Sequence, residues 1–304
     1  MDFVTLPQNY PMKRVFLFLI CLPALLLTSC SDYIKVQKTT DPVYKYEAAK
    51  QYYAAGEYNR AATFLQELIN MLKGTEKGEE SLFLLAMSSY KAHDYNSATS
   101  YFRKYYQSYP DGIYTEKAHY YCGMSLFNSV PEIKLDQTAT FEASTEFQNF
   151  LELYPNSQLS EQAQANIFKL QDRLVEKEYL SAKLYYDLGS YFGNCTNGGS
   201  NYQACIVTAE NAIQDFPYMS RREDFAILIL RAKFDLAKQS VESKKEERYH
   251  DAIDEYYGFT NEYPESKYLK EAQELFNKAK KYTTTDNEDG TAEPTGETPA
   301  APQE

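Results

Sequence analysis

The chain has 304 residues, 43% hydrophobic and 24% charged, which is enough for one large domain or two small ones with a substantial core. A formal net charge of −12 excludes nucleic acid as the main partner, because phosphate binding needs a basic face. Only twelve Gly and twelve Pro favour helices over an all-β fold, and the 29 Tyr supply rings that are apolar in the body and wet at the hydroxyl.

The first segment reads as a targeting sequence. Lys13 and Arg14 make a positive start, with Met12 as an alternative initiator, and Val15 to Leu27 form an apolar run broken by Pro23. That run is too short to cross a bilayer comfortably as a helix. It ends in Leu27-Thr28-Ser29-Cys30, apolar, small, small, cysteine, which resembles the lipobox of bacterial lipoproteins. The resemblance implies that residues 1–29 are a signal peptide, that Cys30 is lipidated, and that two or three acyl chains give stable anchoring. Ser31 in place of an aspartate points, by the same resemblance, to the outer membrane and its periplasmic face. Residues 30–42 are expected to be an extended, lipidated tether.

Residues 43–281 carry internal repeats. A shift of 37 brings Tyr58-Asn59-Arg60-Ala61-Ala62 onto Tyr95-Asn96-Ser97-Ala98-Thr99, and Tyr46, Ala49 and Tyr53 onto Phe83, Ala86 and Tyr90. A second shift carries Phe83, Met87 and Tyr90 to Tyr120, Met124 and Phe127. An aromatic-proline pair recurs at Tyr109-Pro110, Tyr154-Pro155, Phe216-Pro217 and Tyr263-Pro264. Proline cannot continue a helix and drives its predecessor out of the α region, so each pair predicts a helix stop. The unit resembles the tetratricopeptide repeat, in which small residues face each other where two helices of a hairpin cross. Ala49 with Ala61, Ala86 with Ala98, Gly123 with Ala143 and Ala182 with Cys205 take those places, with about eight extra residues inside the third repeat and an insertion at 192–201 in the fourth.

The expected fold is therefore all-α, a tetratricopeptide-like α-α superhelix of about five helix-hairpin repeats. Ser160 to Leu188 reads as one long helix or two nearly continuous ones. A capping helix at about Ser266 to Lys281 carries Leu269, Ala272, Leu275, Phe276 and Ala279 on one stripe. Residues 282–304 lack Lys and Arg and any apolar period, and are expected to be a disordered acidic tail.

No enzyme signature is present: His93, His119 and His250 are scattered, and neither a metalloprotease motif, a nucleophile elbow nor a phosphate loop occurs. No catalytic residue, metal or cofactor is assigned. Cys195 and Cys205 bracket the loop at 192–201 either as a disulfide pair or as two unpaired thiols. Charge runs such as Glu76 to Glu80 read as solvated turns. The repeated rows are more informative. By the tetratricopeptide resemblance, Tyr46, Phe83 and Tyr120, Tyr53, Tyr90 and Phe127, and Met87 and Met124 between them, face a concave groove. Aromatic rings with adaptable sulfur suit peptide binding there. The competing reading packs the same residues between neighbouring repeats.

Three features together resemble the BamD family, the tetratricopeptide lipoproteins of the outer-membrane β-barrel assembly machinery. They are the lipobox with its short tether, the opening pattern from Tyr46 to Ala61, and the run Leu170-Gln171-Asp172-Arg173-Leu174 to Tyr179 leading to Ala182, Tyr185-Tyr186 and Gly189. The resemblance implies a non-catalytic periplasmic scaffold. Its C-terminal half would bind the periplasmic domains of the barrel-forming subunit, and its N-terminal groove would receive unfolded outer-membrane proteins. A periplasmic adaptor coordinating cell-wall or division proteins is the alternative.

Overall fold

The computed structural model describes residues 32–191 and 200–283. The signal segment, Cys30, Cys195 and the tail from 284 onward lie outside the described residues. Helix α1 covers 32–38. It is followed by α2 (Pro42–Ala54), α3 (Tyr58–Met71), α4 (Glu76–Lys91), α5 (Tyr95–Ser108), α6 (Thr115–Ser129) and α7 (Thr138–Leu153). Then come α8 (Ser160–Leu188), α9 (Asn201–Asp215), α10 (Arg222–Lys238), α11 (Glu242–Glu262) and α12 (Leu269–Lys280). No strand occurs among the described residues. The fold is all-α and of the tetratricopeptide type, with consecutive helices packed as hairpins. The chain divides into two compact units, Met1–Val130 with Thr138–Ile167, and Pro131–Gln137 with Phe168–Glu304.

In the first unit each helix from α2 to α7 packs on the next. The predicted small residues sit where the helices touch: Ala49, Ala61, Ala86 and Ala98 are fully buried. At Gly123 an added Cβ would lie 2.9 Å from the Phe147 ring. The turn between paired helices repeats in detail. Gly56 has φ +78° and His93, 37 residues on, has φ +62°. Glu57 N–H bonds the Tyr52 carbonyl and Asp94 N–H bonds the Ser89 carbonyl, both at 2.9 Å, closing the same left-handed helix cap.

The aromatic-proline stops also share one conformation. Tyr109, Phe216 and Tyr263 have φ/ψ of −133/68°, −125/67° and −126/64°, outside the α region as the following proline requires. Beyond three of the four stops, those at Tyr109, Tyr154 and Tyr263, an acid in the first turn of the hairpin's own leading helix closes the loop. Glu79 accepts from the Tyr105 hydroxyl at 2.5 Å and from Ile113 N–H at 3.1 Å. Glu116, again 37 residues on, accepts from Ser157 Oγ at 2.5 Å, and Glu223 accepts from Ser266 Oγ. The run Glu76 to Glu80 is thus not a solvated turn, because two of its carboxylates bind other helices of the unit.

In the second unit α9 packs on α10, α10 on α11, and α12 on both α10 and α11. Three ion pairs brace α10. Arg231 meets Glu271 through two bonds of 2.6 Å, Lys233 meets Glu255 at 2.6 Å, and Arg222 meets Glu262 at 2.8 Å. Helix α8 is one continuous helix over Ser160–Leu188, which settles the choice left open between one helix and two.

The tether departs from expectation. Residues 32–38 are helical, Val36 is buried in the first cluster, and Tyr33 lies 5.0 Å from the Phe64 ring. Seven residues are too few to show a helical period, yet one valine and one ring suffice to dock them on α2 and α3.

Candidate peptide-binding surface

The two aromatic rows take different places in the first unit. Tyr46, Phe83, Met87 and Tyr120 are only 2 to 8% exposed. Phe83 stacks on Tyr114 at 4.4 Å and meets Phe102 and Tyr105 edge-on. Tyr120 packs against Phe147 and Phe150 and donates its hydroxyl to Gln162 Oε1 at 3.1 Å. Tyr46 donates its hydroxyl to Glu80, which also meets Lys50 at 2.8 Å, while Lys50 and Lys77 lie over the Tyr46 ring. Burial first, then the bond to Glu80, pushes the Tyr46 phenol up to about 12. These side chains bind neighbouring helices and offer no surface to a ligand, so the packing alternative holds for them.

Tyr53, Tyr90, Met124 and Phe127 are partly exposed. Each of the three rings stands in the last turn of α2, α4 or α6. Tyr53 meets Tyr58, and Tyr90 meets Tyr95, by the same edge-on contact at 5.6 and 5.8 Å. Phe127 instead meets Phe147 at 6.5 Å. The Tyr90 hydroxyl accepts from Asn128 Nδ2 at 3.2 Å, and Met124 Sδ accepts from Asn166 Nδ2 at 3.2 Å. Burial raises the phenols of Tyr53 and Tyr90, so both remain neutral donors at physiological pH. The row is half-sheltered, aromatic and uncharged, with three rings at equivalent stations of successive hairpins. Such a surface takes apolar side chains from an extended segment.

Three further residues of chemical potential, His119, Cys122 and Cys205, are engaged in packing. His119 stacks on Tyr106 at 3.8 Å and approaches Glu146 at 3.4 Å, close to Cys122 in sequence. Burial pushes the Cys122 thiol up to about 12, and it points at the Thr99 carbonyl. A thiol held protonated in this way is a poor nucleophile at neutral pH. Cys205 is likewise buried and bonded to no other cysteine among the described residues, which exclude Cys195, and burial raises its thiol to about 12. Among the described residues no helix is long and apolar enough to cross a membrane. Sequence reasoning missed the closing acids, although Glu79 and Glu116 obey the same shift of 37 as the aromatic rows and were legible on that ground.

A family model described as "Outer membrane lipoprotein", YfiO, matches residues 38–197, more than half of the chain. The outer membrane protein assembly factor BamD of Pasteurella multocida is 24% identical over 176 residues, covering 55% of this chain and 67% of that protein. A putative outer membrane protein assembly factor BamD of Aquifex aeolicus is 25% identical over 248 residues, covering 80% and 77%. The BamD of Caulobacter vibrioides is 22% identical over 134 residues, covering 44% of each chain.

Proposed function

For a chain that belongs to the YfiO family of outer membrane lipoproteins, we propose a role as a non-catalytic scaffold in outer-membrane protein assembly. The relatives it matches carry the name of assembly factors, and its hairpins supply binding faces rather than a reaction centre. The signal segment is removed before Cys30, and acyl chains on that cysteine hold the protein at the periplasmic face of the outer membrane. Unfolded outer-membrane proteins are received on the row Tyr53, Tyr90 and Phe127, and the second unit engages the periplasmic domains of the barrel-forming subunit.

The observation that carries the substrate reading is the row itself. Three partly exposed rings at equivalent helix ends give one contact per hairpin, and an extended chain offers side chains at regular intervals. Each anchored ring contributes on the order of 1–2 kcal/mol to binding. Isolation of the full-length protein in mild detergent tests the assembly role: a large barrel-forming membrane protein is expected to co-purify in stoichiometric amount. Co-purification of cell-wall enzymes in its place would favour an adaptor role. Metabolic labelling with an alkyne fatty acid tests the anchor; label is expected on the wild-type chain and absent from Cys30→Ala, and undiminished label on the variant would refute it.

A further inference from the structure

The extra residues of the third repeat, between α6 and α7, form an ordered ledge. Gln137 is 2% exposed, and its Nε2 donates to the carbonyls of Glu132 at 2.8 Å, Ile133 at 3.3 Å and Leu135 at 3.1 Å. Its Oε1 accepts from Arg173 Nε at 3.1 Å, and Lys177 Nζ donates to the Leu135 carbonyl at 3.2 Å. One buried amide thus gathers three loop carbonyls, and two cations of α8 fasten the loop to the helix. All of these groups belong to the second unit.

Between the ledge and α8 lies an open cavity of about 420 Å³. Its floor is Ile133, Leu180 and Leu184, and its rim carries Lys134, Lys177 and Lys183. Leu184 is 58% exposed and the neighbouring Leu135 56%, so folding leaves this apolar surface open. Asp187 is the one carboxylate in the lining, and it is engaged by Lys183 at 2.6 Å. Glu132 and Asp136 of the ledge are not part of the lining. In a chain of net charge −12, three lysines against one aspartate reverse the local sign.

We propose that this groove docks a segment of a partner protein that presents an apolar side chain flanked by carboxylates. The apolar floor takes the side chain, and the lysine rim takes the flanking acids. The Gln137 knot fixes the ledge beforehand, so little ordering is required when the partner arrives. The chain's own tail does not meet the requirement. Residues 284–304 carry six acids but no apolar side chain larger than proline, which leaves the floor uncovered. The charge complementarity lies at an exposed rim, so binding should weaken as salt shortens the Debye length.

The test is selection of a random peptide library on the full mature chain, counter-selected on the double variant Lys134→Glu/Leu184→Glu. Both positions are exposed, so the variant is expected to match wild type in circular dichroism and melting temperature. Enriched peptides should share an apolar residue between Asp or Glu residues. Their affinity should fall at least tenfold in each single variant and fall again with added salt. Three results would overturn the proposal: enrichment that does not depend on Lys134 and Leu184, a basic consensus, or variant-sensitive binding confined to phosphatidylglycerol vesicles, which would assign the groove to an anionic lipid. Because none of these results bears on whether a barrel-forming protein co-purifies, this proposal and the assembly role fail separately.

Discussion

His93 occupies a left-handed turn that its counterpart, Gly56, adopts without strain. A side chain with a Cβ costs roughly 1–2 kcal/mol in that region, partly offset here by the contact of Nδ1 with the Tyr95 hydroxyl at 2.7 Å. We expect His93→Gly to raise stability by about 0.5–1 kcal/mol in chemical denaturation; a loss would show that the hydroxyl contact dominates. Glu80 gives a pH signature. Burial raises its carboxyl, but bonds from Lys50 and Tyr46 outweigh burial and hold it below its ordinary 4.5. The charged form is therefore favoured by folding, and its contribution is complete above the ordinary value and lost as pH falls through the lowered one. Lys50, raised mainly by its bond to Glu80, takes part in the same ion pair, so its contribution is present below its ordinary 10.5 while Glu80 stays charged and is lost at the alkaline end as pH rises through its raised value. Glu80→Gln should flatten the fall in unfolding midpoint below pH 4.5, and an unchanged slope would remove Glu80 from the account. At this scale the sequence marked which residues recur but not which way they face. Tyr46 and Tyr53 are both tyrosines in one helix, yet a partner at Glu80 draws the first inward while the second stays at the helix end.

At the scale of helices, the crossing points decide stability. Gly123 has no room for a Cβ against the Phe147 ring, so Gly123→Ala should cost about 1–3 kcal/mol by forcing that ring to move. Ala98, fully buried between helices, should tolerate arginine still less, and an unaltered melting temperature in Ala98→Arg would contradict the hairpin assignment. The helices and their stops were legible because proline and small residues act locally and leave the same mark in every repeat. Helix α1 was not, since seven residues carry no period and dock through Val36 and Tyr33. The ledge at 131–137 was visible only as an insertion. Its order comes from Gln137 and from Arg173 and Lys177 of a distant helix, and contacts of that sequence separation leave no local pattern.

For the whole molecule, the family relationship and the helical-repeat fold agree with what the repeat pattern implied. Which of the repeated residues stay accessible was not readable, because four of the eight groove residues anticipated from the repeat pattern are buried in packing the hairpins together. The proposed binding surface is the partly exposed row Tyr53, Tyr90 and Phe127, with Met124 beside it. Placing a photoreactive residue at each of the three ring positions in living cells, with exposed Lys104 on α5 as the control, measures directly what that row touches. Unfolded outer-membrane proteins are expected to crosslink from positions 53, 90 and 127 and not from 104. Equal crosslinking from all four positions, or crosslinking from 104 alone, would contradict the proposed binding surface.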